Sequence, residues 1–276
     1  MIIEKKINAI SLDLGESPIW VNSTQKFYFV DIKNPKIYSF EPCEQKLVVF
    51  DMPFLASSIV NIGTDKFLIA SENKIYEATN EFKQLREKCS VNSNIVGKRF
   101  NDGAYDSNGY LWISGIASDD KNLSSIFKIS LKNDVTVFEK NNVQLGNGID
   151  WSHDKKKMFF NDSKAKIMYR YDFDKKFQMI SNKKKFFDFN NFNGEPDGLT
   201  IDSFENIWVP IWNDGIITKI SQEGKLLNYY NFPTQRPTSV AFSNDNKRTM
   251  LITTAKLDKE NSIKTDDGCV FIARYE

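Results

Sequence analysis

Apolar and aromatic residues fall in short runs along this chain, each closed by a cluster of Asp, Asn, Ser, Gly or Lys. Tyr110-Leu111-Trp112-Ile113, Lys157-Met158-Phe159-Phe160 and Asn206-Ile207-Trp208-Val209 are rich in the aromatic and aliphatic side chains that suit a pleated surface. The polar clusters between such runs carry turn chemistry. The pattern predicts many short strands.

These strands belong to a larger unit. A polar or small loop leads into an alternating apolar strand, then a tight turn, a second strand, a loop and a further strand. The clearest copies are NDGAYDSNGYLWISGIA from Asn101, GNGIDWSHDKKKMFFNDSKAKIMYRYD from Gly146 and EPDGLTIDSFENIWVPIWNDGIITKI from Glu195. Weaker ones begin at Glu16, Ser57 and Thr238. Anchored at Glu16, Ser57, Asn101, Asn147, Asp197 and Thr238, the copies are 41, 44, 46, 50 and 41 residues apart. Four short strands with their turns fill about 40 to 45 positions, the period of a propeller blade. Six copies consume the chain, so residues 1–276 read as one all-β domain, a six-bladed β-propeller with a central site. Closure is expected from Ile2 to Ile10, added as the outer strand of the blade that ends with Cys269-Val270-Phe271-Ile272. The competing architecture, a two-sheet sandwich, has no need of six evenly spaced copies.

Composition narrows the function. The chain has 276 residues, is 41% hydrophobic and carries a formal charge of +1, which gives no electrostatic footprint for nucleic acid or an anionic membrane. The runs Lys155-Lys156-Lys157 and Lys183-Lys184-Lys185 read as solvated loops beside turns. No run reaches membrane-spanning length, and the polar start MIIEKKINAISLDLGE does not suit a signal peptide, so a cytoplasmic protein is expected. Cys43, Cys89 and Cys269 are odd in number and widely spaced, as free thiols would be.

Candidate chemistry lies at the first position of each repeat, because a propeller brings the six entries to its innermost strands together at one mouth of the channel. Glu16, Asn147 and Asp197 then offer three oxygen ligands with two formal negative charges, a donor set for a hard cation that leaves room for a substrate. Asn101 lies beside Arg99 and Asp102, whereas Ser57 and Thr238 are small. Taken singly, Asn147-Gly148, Asp102-Gly103 and Asp197-Gly198 are ordinary turn dipeptides, Glu16 a loop acid and Arg99 a surface charge; the shared register is what argues otherwise. The sole histidine, His153, sits in a hydrophilic Ser-His-Asp-Lys turn, so a Ser-His-Asp triad lacks its base. Base chemistry falls to a carboxylate or to a metal-activated water.

At these residues the chain resembles the family of senescence marker protein (regucalcin), gluconolactonase and luciferin-regenerating enzyme. The matching stretches are Leu14-Gly15-Glu16-Ser17-Pro18-Ile19-Trp20, Arg99-Phe100-Asn101-Asp102-Gly103, Gly146-Asn147-Gly148-Ile149-Asp150-Trp151-Ser152 and Pro196-Asp197-Gly198-Leu199-Thr200-Ile201-Asp202, in the family's order over four blades. The resemblance implies one divalent metal on Glu16, Asn147 and Asp197, with Ca²⁺ foremost and Zn²⁺, Mg²⁺ or Mn²⁺ as alternatives. It implies substrate contacts from Arg99 and Asn101 and a general base at Asp197. A further substrate-contacting Glu of the family falls at Asp120, or at Asp119 if the intervening insertion is placed differently, with a shorter side chain. Ser17 stands where the family often has glycine. The implied activity is hydrolysis of a small sugar-derived lactone, with Asp197 either accepting a proton from the attacking water or only orienting it. Two other readings use the same residues: a calcium-binding regulatory propeller without catalysis, and a propeller esterase or lactonase acting on non-sugar substrates. No nucleic-acid or membrane partner is implied.

Overall fold

A computed structural model describes residues 1–7, 10–119, 121–244, 248–257 and 266–275. Six antiparallel sheets follow one another along the chain, each running from an innermost to an outermost strand. Their innermost strands begin with Gly15–Val21, Ser58–Gly63, Arg99–Tyr105, Gly146–Trp151, the pair Glu195–Pro196 and Thr200–Ile201, and Pro237–Phe242. Every predicted repeat anchor lies within or directly beside one of these segments. The protein is the six-bladed β-propeller that the repeat predicted.

Closure also follows the sequence expectation. Strand Ile2–Ile7 pairs antiparallel with Val270–Arg274 and supplies the outermost strand of the last blade. The strand ends at Ile7, short of Ile10, and residues 8 and 9 lie outside the described set.

The core is a ring of interfaces between neighbouring blades. In the second strand of the first blade, Phe27 and Phe29 pack toward the last blade with Leu251 and Val270, whereas Tyr28 and Val30 pack toward the second with Ile59, Phe67 and Ile69. Successive side chains of a strand point to opposite faces, and here both faces are covered. This explains why the strongest apolar runs, such as Lys157–Asp162 and Ile207–Trp212, are buried almost throughout instead of alternating. The outermost strands are mostly exposed or half-buried instead. Lys183, Lys184 and Lys185 belong to one of them, Met179–Asp188, and not to a loop. A β-strand there is compatible with charge because its outer edge faces water: Lys183 reaches Glu139 and stacks on Tyr169.

A second device recurs in the blade turns. Asp106 accepts from the backbone of Asn108 and Tyr110 and from Trp112 Nε1 at 2.9 Å, and Asp202 does the same for Phe204, Asn206 and Trp208 Nε1 at 2.8 Å. One carboxylate therefore closes the turn and satisfies the indole that fills the next inter-blade core. His153 lies in an exposed turn, 3.5 Å from Glu205, as its hydrophilic setting predicted. Cys43, Cys89 and Cys269 form no disulfide among the described residues.

Candidate active site

The innermost strands do not run straight through the channel. Pairing slips between Glu16 and Ile19, between Phe100 and Gly103, between Asn147 and Ile149, and between Pro237 and Ser239, while in the fifth blade the strand is interrupted from 197 to 199. A bulge re-aims the side chain beside it. The local sequences Ser17-Pro18, Asp102-Gly103, Gly148 and Asp197-Gly198 permit these kinks. At Gly148 a Cβ would stand 2.3 Å from the backbone nitrogen of Leu199, so only glycine lets the fourth and fifth blades approach. Ser17 adopts φ 49°, a left-handed conformation that costs about 1–2 kcal/mol for a residue with a Cβ. Its hydroxyl offsets this by accepting from Ile59 N at 3.0 Å and meeting Ser58 Oγ at 3.1 Å, which binds the first blade to the second.

As a result Glu16, Arg99, Asn101, Asn147 and Asp197, drawn from four blades, line one cavity of about 120 Å³ together with Ser163. Glu16, Asn101, Asn147 and Asp197 are 4 to 6% exposed. Leu14, Ile32, Ile116 and Leu145 make aliphatic walls, and Glu195, Pro196 and Trp212 complete the lining. Residues slightly further along all six innermost strands enclose a second cavity of about 310 Å³, which contains Asp102 and Asp150.

Polarity within the site has a definite direction. An arginine can only donate, and Arg99 Nη1 donates to Asn101 Oδ1 at 2.6 Å and to the Phe100 carbonyl at 2.9 Å. The Asn101 amide nitrogen must then point the other way, and it donates to the Gly146 carbonyl at 2.8 Å and to Asn147 Oδ1 at 3.1 Å. That fixes Asn147 in turn, whose nitrogen meets Ser163 Oγ at 2.9 Å. Asp197 is held through its backbone: its N–H donates to Pro210 O at 3.0 Å, and its carbonyl accepts from the buried Asn161 amide at 2.8 Å. The loops before the first and fourth blades are pinned alike, by Asp31 accepting from Asp13 and Leu14 and by Asp162 accepting from Gln144 and Leu145.

Electrostatics follow from burying acids together. Burial, then the nearby Asp102 charge, pushes the Glu16 carboxyl up to about 8, against smaller opposing effects from the Ser17 N–H and Arg99. Asp197 is raised well above the usual carboxylate range by burial, then by Glu16 and Asp102. Asp102 itself rises to about 6 through burial and Asp150. Burial draws Arg99 down to about 10, against the pull of Glu16 and Asp197. The carboxylates of Glu16 and Asp197 and the Asn147 amide oxygen, with Glu195 as a third acid, thus face a cavity whose lining holds one formal cation among the described residues. The set fits a divalent cation, which would relieve the repulsion between the acids using hard oxygen donors only. No group of three or more His, Cys, Asp or Glu poised for a metal occurs among the described residues, so the set depends on Asn147 as its third donor.

Of the sequence-predicted residues, Glu16, Arg99, Asn101, Asn147 and Asp197 meet in this cavity, and Asp120 lies outside the described residues. Asp119 is exposed and caps its own loop, accepting from the backbone of Lys121 and Asn122 at 2.8 and 2.9 Å. Sequence reasoning missed Ser163, Asn161 and Glu195. The first two had a signal in the Asn161-Asp162-Ser163 run that ends the strand paired with Asn147; Glu195 had only its place before Pro196-Asp197.

Comparison with known proteins follows the same residues. A family model described as the SMP-30/gluconolactonase/LRE-like region matches residues 14–256. The pentonolactonase XacC of Haloferax volcanii is 28% identical over 259 residues, 93% of this chain and 87% of that one. Regucalcin of Xenopus laevis is 27% identical over 88% of this chain and 83% of its own. Among solved structures, a luciferin-regenerating enzyme superposes with a TM-score of 0.89 at 28% identity, covering 99% of this chain and 95% of that one.

Proposed function

Because this chain belongs to the SMP-30/gluconolactonase/LRE-like family, we propose that it is a divalent-metal-dependent hydrolase that opens a small, sugar-derived lactone. The observation that carries the reading is the convergence of Glu16, Asn147, Asp197, Arg99 and Asn101 on a single cavity about the size of one small ring. The relative named a pentonolactonase supports the substrate class. The metal's natural identity is proposed as Ca²⁺, in keeping with an all-oxygen donor set.

Glu16, Asn147 and Asp197 would hold the cation, which when bound supplies Lewis acidity toward the lactone carbonyl and stabilises charge developing on its oxygen. Arg99 and Asn101 orient the substrate: Arg99 is the only formal positive charge lining the cavity among the described residues, and Asn101 is already fixed by it. Asp197 takes a proton from the attacking water, and the ring oxygen departs as the new hydroxyl of the open acid. The aliphatic walls exclude bulk water around these groups, which strengthens each electrostatic contact. Asp120 is retained as a proposed substrate contact.

The test is a lactone panel assayed with chelator and with each of several divalent ions. Metal-dependent ring opening upholds the reading. Tight calcium binding without turnover of any lactone would favour a regulatory calcium-binding propeller, and turnover confined to aryl esters or aromatic lactones would favour a non-sugar esterase.

A further inference from the structure

We propose that the cross-strand pair Glu195 and Trp212 is the hydroxyl-reading element of this cavity, selecting polyhydroxylated lactones over unsubstituted ones. The proposal rests on the lactonase reading for its substrate and on separate residues for its argument. Neither side chain belongs to the proposed metal set.

Glu195 lies directly opposite Trp212 in the antiparallel pairing of the fifth blade. Residues so paired project to one face, with Cβ atoms about 4.5–5.5 Å apart. The approach is enforced by Gly194, where a Cβ would stand 2.0 Å from the Trp212 carbonyl oxygen. The indole is fixed before any ligand arrives. Arg236 lies over it with its guanidinium carbon 4.9 Å from the ring, and is itself anchored to Asn213 Oδ1 at 2.8 Å and the Lys256 carbonyl at 2.9 Å. A clamped aromatic ring bordering a cavity offers contact area at little further entropic cost.

The carboxylate is equally specific in aim. Glu195 Oε1 accepts from Lys164 Nζ at 2.8 Å, while Oε2 has no hydrogen-bond partner among the described residues. Leu14, Ile32, Ile116 and Leu145 form the other walls and offer no polar side-chain atom. Apart from Ser163 and the residues already assigned to metal or substrate, Glu195 is therefore the lining side chain among the described residues able to accept a hydrogen bond from a hydroxyl. A saturated ring with C–H groups against Trp212 and hydroxyls at its edge satisfies both members of the pair. An unsubstituted lactone satisfies the indole alone and displaces water from Glu195 without replacing its hydrogen bond. Discrimination by an unmet polar group is stronger than discrimination by size, although the 28% exposure of the Glu195 side chain moderates it.

Steady-state kinetics on glucono-δ-lactone and δ-valerolactone, with wild type, Glu195→Gln and Glu195→Ala, test this. Glu195→Ala should lower kcat/KM for glucono-δ-lactone about tenfold, mainly through KM, as loss of a charged hydrogen bond partly open to water requires. It should change δ-valerolactone less than about twofold, and Glu195→Gln, which still accepts, should fall between. Equal losses on both substrates, or none on either, overturn the proposal while leaving the lactonase reading intact. Calorimetric binding of gluconolactam and δ-valerolactam separates the two claims. If wild type opens neither lactone, the lactonase reading fails; a preference for gluconolactam that Glu195→Ala abolishes still upholds the hydroxyl-reading pair, and a preference that is absent or survives the variant overturns it.

Discussion

Replacing Glu16 by Gln should make the metal-free protein more stable at pH 8 while removing its function. In the folded chain the Glu16 carboxyl is raised from an ordinary 4.5 to about 8, first by burial and then by the Asp102 charge. The folded form therefore keeps a proton that the unfolded chain releases near pH 4.5. Metal-free stability must fall as pH rises from about 4.5 to about 8, since over that window the native state binds more protons than the unfolded one. At about 1.4 kcal/mol per pH unit the full penalty is about 5 kcal/mol. Asp197 shares it, so a gain of about 2–5 kcal/mol is expected for Glu16→Gln at pH 8. Glutamine keeps the shape, keeps an oxygen to accept from Ser17 N, and adds a donor for Asp197. Urea unfolding in chelator at pH 5, 6, 7 and 8 measures this, with the m-value as a check that both proteins unfold alike. The two should converge at pH 5, where wild-type Glu16 is protonated, and diverge upward. An offset equal at pH 5 and pH 8, or a less stable variant at pH 8, would refute the reasoning. Saturating divalent cation should reverse the order, because only wild type gains the binding free energy.

Three further outcomes follow from the same geometry. Asp197→Asn, assayed at saturating metal, should lose at least ~10²-fold in kcat on the best lactone, the low end for removing a positioned general base; near-full turnover would make Asp197 a ligand only. Arg99→Ala should raise KM and also weaken metal binding several-fold in a metal titration, because Arg99 fixes Asn101 and through it Asn147 Oδ1; unchanged values for both would leave Arg99 a bystander. Chelation should abolish ring opening with the circular dichroism unchanged, and added divalent cation should restore it without refolding, since the apolar interfaces between the blades contain none of the proposed ligands.

The fold and most of the site were legible because they share one cause. A propeller repeats a blade, so Glu16, Asn101, Asn147 and Asp197 occupy equivalent positions in the sequence and converge in space. What escaped was whatever depends on contacts between different blades. The bulges that turn these side chains inward arise only when strands pair, and the linkage of Arg99 to Ser163 crosses two blades. Lys183–Lys185 looked like a loop because charge was equated with turns, whereas an outermost strand tolerates it. Glu195 carried no periodic signal, and its setting appears only when Gly194 presses it against Trp212.

The pairing of Ile2–Ile7 with Val270–Arg274 also sets the order in which this protein can be made. As synthesis proceeds from the amino end, the first blade can form early, yet its neighbour on the closing side waits for strand Val270–Arg274 near the far end of the chain. Until then the growing propeller is an open arc, with Phe27, Phe29 and Tyr38 lacking the partners they finally meet in Leu251 and Val270. The equilibrium penalty for so distant a contact is small, about 0.6 kcal/mol for each doubling of the intervening length. The hazard lies in the wait, during which an apolar blade face and an unpaired strand are exposed to other chains. Ring closure is thus a late and concerted event, and a molecule that loses its first strand should fail in the cell by aggregating before release more than by melting afterwards.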